Sequence, residues 1–371
     1  MSGQASTAEA PSKASVDVLI PVFNAEATLE AAINSICDQT IDDFRVIIVD
    51  DGSTDSSSGL LTELAQRHRR IEVARTTNQG VAAALNHGLS LCRAEFVARF
   101  DADDVAYPHR LECQRDYLRA HPECVAVGCD VDHIDADGRD ILDHPRPGDP
   151  GDADPDWAPA REPYIIHPFL FARTAAIRRV GGYRIMPTSQ DSDLYWRLTD
   201  LGRLHNMPDR LGKYRIHEHS VSGARIAKGR VMAVSSQLAA LSAARRRRGL
   251  ADLSFPPPET PFALADQGLE PMLDALAPFL EPIERGRFRV AVGAKLLELA
   301  GYRAYEPDLD DCRFITGCDL SELTTENRAE LRWHKSVTAA RLIRRGSFSA
   351  AVALAGLSGL PKAMMRLLLK S

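Results

Sequence analysis

The sequence predicts an α/β fold in which a mostly parallel central sheet is flanked by helices and followed by a mostly helical C-terminal region. Three observations carry this expectation. From Val16 onward, short β-branched runs alternate with stretches of helical apolar periodicity, the pattern of a parallel sheet covered by its crossover helices. Each of the first four runs ends on a polar signature, placed where open α/β sheets bind ligands, at the carboxyl ends of the strands. Beyond about Ser222 the strand signals fade and helical patterns replace them.

Taken in order, residues 1–15 are small and polar, with no basic stretch leading into an apolar core, and predict a disordered tail rather than a signal peptide or anchor. The first strand, Val16–Pro21, runs into Phe23-Asn24, and the second, Phe44–Asp50, into Asp51-Gly52-Ser53. The third, Ile71–Arg75, precedes Asn78-Gln79-Gly80, and the fourth, Glu95–Phe100, precedes Asp101-Ala102-Asp103-Asp104. A further strand, Val125–Val131, leads to Asp137-Gly138, a hairpin turn signal. Pro145–Pro163, loaded with Pro, Asp and Gly, reads as a surface loop able to move over a site. Order resumes at Tyr164, so the first domain is expected over 16–222 and a helical region over 223–371, interrupted near Phe255-Pro256-Pro257-Pro258 and Pro282.

Composition narrows the function classes. A net charge of −6 gives no global attraction to nucleic acid. Seven cysteines without CxxC spacing argue against a disulfide framework and a structural zinc site, and fit a reducing cytoplasm. No run reaches the roughly 18 apolar residues of a membrane span; Phe348–Leu360 is the nearest and is short. After Glu330 the chain has no acidic residue, while Lys335, Arg341, Arg344, Arg345, Lys362, Arg366 and Lys370 interleave with apolar residues. That tail either lies on an anionic membrane surface or forms the solvated face of a packed helix, and the same choice applies to Arg245–Arg248.

The chemistry-bearing residues sit at the strand ends. Asp101 and Asp103, two apart after a buried strand, can project their carboxylates from one edge, with Asp103 reaching a hard divalent cation, Mg2+ or Mn2+, and Asp101 a ribose or the cation's surroundings. Asp104 can support the turn. A carboxylate of Asp50 or Asp51 can accept hydrogen bonds from a base N–H or a ribose hydroxyl, although Asp-Gly-Ser-Thr-Asp is also a good turn and helix cap. No G-x-G-x-x-G follows the first strand, which disfavours a dinucleotide-binding dehydrogenase.

In their joint order, Val18-Leu19-Ile20-Pro21-Val22-Phe23-Asn24, Val49-Asp50-Asp51-Gly52-Ser53-Thr54-Asp55, Asn78-Gln79-Gly80, Phe100-Asp101-Ala102-Asp103-Asp104 and Gly181-Gly182-Tyr183 resemble the catalytic domain of a family 2 glycosyltransferase with the GT-A nucleotide-diphospho-sugar transferase fold. The resemblance covers Val16 to Ser222. It implies an inverting transfer from a nucleotide-sugar donor, UDP by default, to a saccharide or lipid-linked acceptor in polysaccharide, lipopolysaccharide or glycolipid assembly. A cytoplasmic protein, at the inner membrane face if the basic tail binds there, is the expected setting.

Residue by residue, the resemblance places the donor nucleotide at Pro21, Val22, Phe23, Asn24, Glu26, Asp50 and Asp51, and further at Asn78, Gly80, Asp101 and Ala102. Asp103 and His217 are the expected metal ligands, with His219 competing for the second role. The family's Glu-Asp pair aligns with Gln190-Asp191, making Asp191 the base; its alternative is the N-cap of a Leu194–Leu201 helix. Asp104, His167, Gln190 and Trp196 are expected on the acceptor side or behind the ligating residues, though a tryptophan at helical spacing is more often core.

Two departures stand out. Gln190 removes a negative charge beside the proposed base. Leu85, in Ala84-Leu85-Asn86-His87-Gly88, stands where relatives usually carry Arg; another cation such as Arg99 or Arg110 is the candidate substitute, the alternative being that both are surface residues. The rival readings are a nucleotidyltransferase, which would want a Gly-rich basic loop after the first strand, and a non-catalytic sugar- or nucleotide-binding module.

Overall fold

The computed structural model describes residues 14–141, 146–216, 225–257, 259–302, 305–356 and 359. The chain begins β1 (Val16–Val22), α1 (Leu29–Cys37), β2 (Phe44–Asp50), α2 (Ser57–Arg67), β3 (Ile71–Arg75), α3 (Val81–Leu91) and β4 (Phe96–Arg99). Next come β5 (Val105–Ala106), α4 (Arg110–Ala120), β6 (Cys124–Ile134), β7 (Asp140–Ile141), β8 (Phe171–Arg173), α5 (Thr174–Arg179), α6 (Gln190–Thr199) and β9 (Arg203–Arg215). Helices follow: α7 (Ile226–Arg247), α8 (Glu259–Phe262), α9 (Leu269–Leu276), α10 (Pro282–Tyr302), α11 (Leu309–Gly317) and α12 (Thr325–Arg344).

The strands form one mixed nine-stranded sheet in the order β3-β2-β1-β4-β8-β6-β9-β5, with β7 paired to β6. β3, β2, β1 and β4 run parallel, as the alternation predicts. Direction changes at β8, which is antiparallel to both β4 and β6, while β6 runs parallel to β9 and β5 antiparallel to it. The mostly parallel expectation therefore holds for only half of the sheet. β8 spans three residues, too few to carry a periodicity, and its direction is set by its partners.

β1 shows why the parallel half forms. Its valines, leucine and isoleucine are buried on both faces, each worth roughly 1.5–3 kcal/mol once removed from water. Asp17, the charge within it, is fully buried but compensated by Arg45 at 2.9 Å and the Ala94 N–H at 2.7 Å. β6 and β7 close the expected hairpin over Asp137-Gly138.

The chain divides into two compact units that interleave along the sequence. The first comprises Met1–Gly151, Tyr164–Arg184 and Leu198–Ile216; the second comprises Asp152–Pro163, Ile185–Arg197 and His217–Ser371. The sequence reading placed a single boundary near 222 and treated Pro145–Pro163 as a movable loop. Residues 142–145 lie outside the described residues, but 152–163 belong to the helical unit and are stitched into it. Ala158 exchanges hydrogen bonds with the Asn327 side chain in both directions, and the Ala160 N–H donates to Gln237 at 3.1 Å. A Pro-rich composition identifies irregular backbone; it carries no information about distant side chains that hold it.

The helical unit packs α7, α9, α10, α11 and α12 around Leu238, Met272, Leu276, Phe288, Leu296 and Leu297. Arg230 is buried in it, paired with Asp311 at 2.9 Å. The basic run at the end of α7 is used internally: Arg245 meets Glu284 at 3.0 Å, Arg246 meets Asp252 at 3.3 Å, Arg248 meets Asp156 at 2.5 Å, and Arg247 lies 5.4 Å over the Trp196 ring. In the basic tail, Arg341 pairs with Glu306 at 2.8 Å and Lys335 donates to the Ile315 carbonyl. Lys362, Arg366 and Lys370 lie outside the described residues, among which no helix is long and apolar enough to cross a membrane.

Trp196 is fully buried against Ala239, Ala240 and Ala243 of α7, which removes it as a surface on which a sugar could stack. Trp196→Ala should therefore destabilise the protein by about 3–5 kcal/mol, measured as a lowered urea midpoint, because the helices cannot collapse onto the void.

Candidate functional site

In the first unit, the loops after β1 and β2 are laced together at the carboxyl edge of the sheet. Asn24 adopts φ +50°, a conformation asparagine tolerates, and its Oδ1 accepts from the Thr54 N–H at 2.8 Å. The Asn24 N–H donates to Ser53 Oγ at 3.1 Å, the Glu26 N–H to Asp55 at 3.2 Å, and the Ser56 N–H to Glu26 at 2.9 Å. Phe23, nearly half exposed at 48%, leaves an apolar ring on this edge, next to Pro21 and Val22.

The two aspartates that end β2 organise loops. Asp50 is buried and accepts from the Ser53 N–H at 2.9 Å and from the Ser58 hydroxyl. Burial opposes its charge, but these hydrogen bonds and Arg75 at 4.0 Å offset that and hold the carboxyl below its ordinary range. Asp51 accepts from Thr76 Oγ1 at 2.9 Å, the Gln79 N–H at 3.0 Å and the Gly80 N–H at 2.8 Å. Both are buried and hold their own turn and the β3–α3 loop, the turn role expected of them beside a contact to base or ribose, and they leave Asn78, Gln79 and Gly80 exposed. Gly52, at φ +76° with Asn78 N 2.9 Å from where a Cβ would stand, admits no other residue without strain.

Asp101, Asp103 and Asp104 follow β4 and place carboxylate oxygens within 4.8 Å of one another. Asp101, 28% exposed, is held by Arg99 at 2.6 Å. The Ala102 carbonyl accepts from Thr28 at 2.9 Å. Arg215 of β9 clamps the turn, donating from its Nε to the Asp103 carbonyl and from its N–H to Asp104 Oδ1, both at 2.8 Å. Asp104 is 1% exposed, and its Oδ2 is buried without a hydrogen-bond partner. Burial, and then the charges of Asp101 and Asp103, raise its pKa well above the carboxylate range; burial also raises Asp101, with Arg99 opposing.

Three crowded carboxylates, one with an orphaned buried oxygen, are hard-oxygen donors of the kind that fit a divalent cation such as Mg2+ or Mn2+. His217 and His219 lie outside the described residues.

Arg99 thus lies beside the acidic turn. Arg110, the other candidate cation, is fully buried and donates to the Arg99 carbonyl at 2.7 Å and the Pro168 carbonyl at 3.0 Å, a structural role. Leu85 is itself fully buried in α3. The adjacent Asn86 holds Tyr183 by both backbone groups, at 2.7 and 2.8 Å. A Cβ on Gly182 would stand 2.6 Å from Asn86 Oδ1, and Gly181 and Gly182 both take left-handed backbone, at φ +81° and +71°, which favours the paired glycines.

His167 Nε2 lies 2.9 Å from the Tyr183 hydroxyl. Burial, and then Arg99, push its pKa well below the imidazole value of 6.5, so the ring is neutral at pH 7. A depressed folded value means that the associated stability is present above the unfolded value and is lost as the pH falls below it. The melting temperature should drop between about pH 7 and 5, and less steeply in His167→Gln.

In the second unit, α6 starts at Gln190, and its first turn closes from the Ser189 carbonyl to the Asp193 N–H at 3.0 Å. Asp191 therefore sits inside the first turn, not at the N-cap, and the helix begins earlier than Leu194. Ser189 has φ +60°, a strained entry for a non-glycine residue. Asp193 is locked to Arg197 at 2.6 Å and Ser192 to Glu162, while Asp191 and Gln190 remain half-buried.

Arg215, Asn86 and Glu162 were not singled out from the sequence. Asn86 and Arg215 had a local signal, lying within the motifs that contain Leu85 and His217; Glu162 had none.

The sequence profile described as glycosyl transferase family 2 matches residues 17–181. The chain is 32% identical over 202 residues to the amylovoran biosynthesis glycosyltransferase AmsE of Erwinia amylovora, covering 53% of this chain and 75% of that protein. Among solved structures, the mannosyltransferase PcManGT from Pyrobaculum calidifontis in complex with GDP-Man and Mn2+ matches at TM-score 0.51 and 18% identity, over 97% of this chain and 89% of that one. S. aureus TarS 1-349 in complex with UDP-GlcNAc matches at TM-score 0.50 and 17% identity, over 89% and 92%. At such identities the structural likeness shows the fold alone.

Proposed function

The chain belongs to glycosyl transferase family 2 and is a glycosyltransferase, and from that premise we propose that it moves a sugar with inversion from a UDP-sugar to an acceptor hydroxyl in a metal-dependent reaction. The observation that carries this reading is the cluster of Asp101, Asp103 and Asp104 at the end of β4. Those three residues would hold the cation, and the chemistry it would supply is neutralisation of charge on the departing diphosphate. Arg99 keeps Asp101 oriented, and Arg215 keeps the turn closed. Phe23 offers an apolar face to the nucleobase beside the laced loops.

Asp191 takes the proton of the incoming hydroxyl. Its place in the first turn of α6 puts it at the positive end of the helix dipole, and Gln190 beside it carries no charge. Polysaccharide, lipopolysaccharide or glycolipid assembly is the setting, by kinship with AmsE. The basic C-terminal tail is the part of the chain suited to an anionic membrane face.

A thermal-shift panel of UDP, GDP, dTDP and CDP, each with and without Mn2+, tests the donor site without an acceptor. One nucleotide should raise the melting temperature, and only with Mn2+. GDP in place of UDP would align the chain with the mannosyltransferase; no shift with any nucleotide would favour a non-catalytic module or a donor site that forms only with acceptor.

A further inference from the structure

Lys295 stands in the middle of α10, 7% exposed, among Val, Ala and Leu. An ammonium at such a position is costly unless paired, and an apolar residue of similar volume would usually serve stability as well. Lys295 is paired twice, with Glu162 at 2.5 Å and Glu298 at 2.9 Å. The other Glu162 oxygen accepts a hydrogen bond from the buried Ser192 hydroxyl. Ser192 follows Asp191 in the first turn of α6. The strap that carries Glu162 is itself tied to α12 through Asn327 and to α7 through Gln237. A continuous series of fixed groups, all within the helical unit, thus runs from α10 through the strap and ends on one hydroxyl beside Asp191.

We propose that Glu162, anchored by Lys295, is a positioning residue for sugar transfer: through Ser192 it fixes the turn from which Asp191 acts. The inference rests on the reading of Asp191 as the base. It gives the helical unit a part in the reaction, since α10 supplies the cation that holds the strap in place. A residue of this kind changes the orientation of the reacting group, so its loss is read in turnover and not in donor affinity.

The test uses the full chain with Mn2+ and UDP-glucose, UDP-galactose, UDP-N-acetylglucosamine or GDP-mannose, with water as acceptor and release of UDP or GDP as readout. Ser192→Ala should lower kcat about tenfold, with the donor KM within about twofold of wild type. Ser192→Thr, which keeps the hydroxyl, should recover most of the loss. The double variant Glu162→Leu, Lys295→Met removes both charges and the acceptor for Ser192 while keeping volume. It should match Ser192→Ala, and adding Ser192→Ala to it should cost nothing further.

Wild-type kcat in Ser192→Ala, in a protein that Asp191→Asn inactivates, would overturn the positioning role and leave the base assignment standing. Equal losses in kcat, donor affinity and melting temperature would also overturn it, as the mark of a purely structural contact. Full activity in Asp191→Asn would remove the base assignment, and this inference with it.

Discussion

Asp191→Asn should lower turnover by about 10²–10⁴-fold while leaving nucleotide affinity unchanged. The substitution keeps the shape of the side chain and removes only its capacity to take a proton. Folding should be little affected, because the first turn of α6 is held by other groups: Asp193 by Arg197, and Ser192 by Glu162. Turnover measured as nucleotide release, beside UDP binding in the presence of Mn2+, separates the two effects. Wild-type turnover would place the base elsewhere in the chain. Loss of nucleotide binding together with turnover would mean that Asp191 serves the donor.

The second large effect is expected at Asp103. In wild type, Mn2+ with UDP at about 100 times its dissociation constant should stabilise the native state by about 2.7 kcal/mol, and Asp103→Ala should lose most of that. Without ligand the sign differs. The Asp103 charge contributes to raising the pKa of both Asp101 and Asp104, so the three carboxylates repel one another in the folded chain. A folded pKa raised above the unfolded value means that ionising these acids destabilises the native state as pH rises through that interval. Removing one of the charges should leave the ligand-free melting temperature at pH 7 unchanged or higher. The crossing of the two melting curves, the variant equal or better without Mn2+ and UDP and worse with them, distinguishes loss of a metal ligand from general damage. A variant that melts lower in both states would remove Asp103 as a ligand.

What could be read from the chain and what could not divide along a physical line. The strands β1 to β4 and the polar turns that close them were legible because period and turn chemistry are local: a β-branched run and the Asp-Ala-Asp-Asp beyond it are contiguous, and burial of such a run on both faces leaves few alternatives. The order of those motifs was enough to point to the family. The second half of the sheet was harder, because β8 and β5 are too short to announce themselves and take their directions from the strands they meet.

The sequence by itself thus determined the alternating sheet, the acidic turn after β4 and kinship with glycosyl transferase family 2. Only the tertiary structure decided what each charge does. Asp50 and Asp51 hold their own turn and the loop after β3; Arg245, Arg246 and Arg248 at the end of α7 find acidic partners within the helical unit; and 152–163, part of the Pro-rich segment, is tied to α7 through Gln237. The acidic turn is closed by Arg215, which lies 112 positions from Asp103 along the chain. The reason is that a charged group is given its role by its partner and its burial, and both are supplied by residues remote in sequence, which no local pattern encodes.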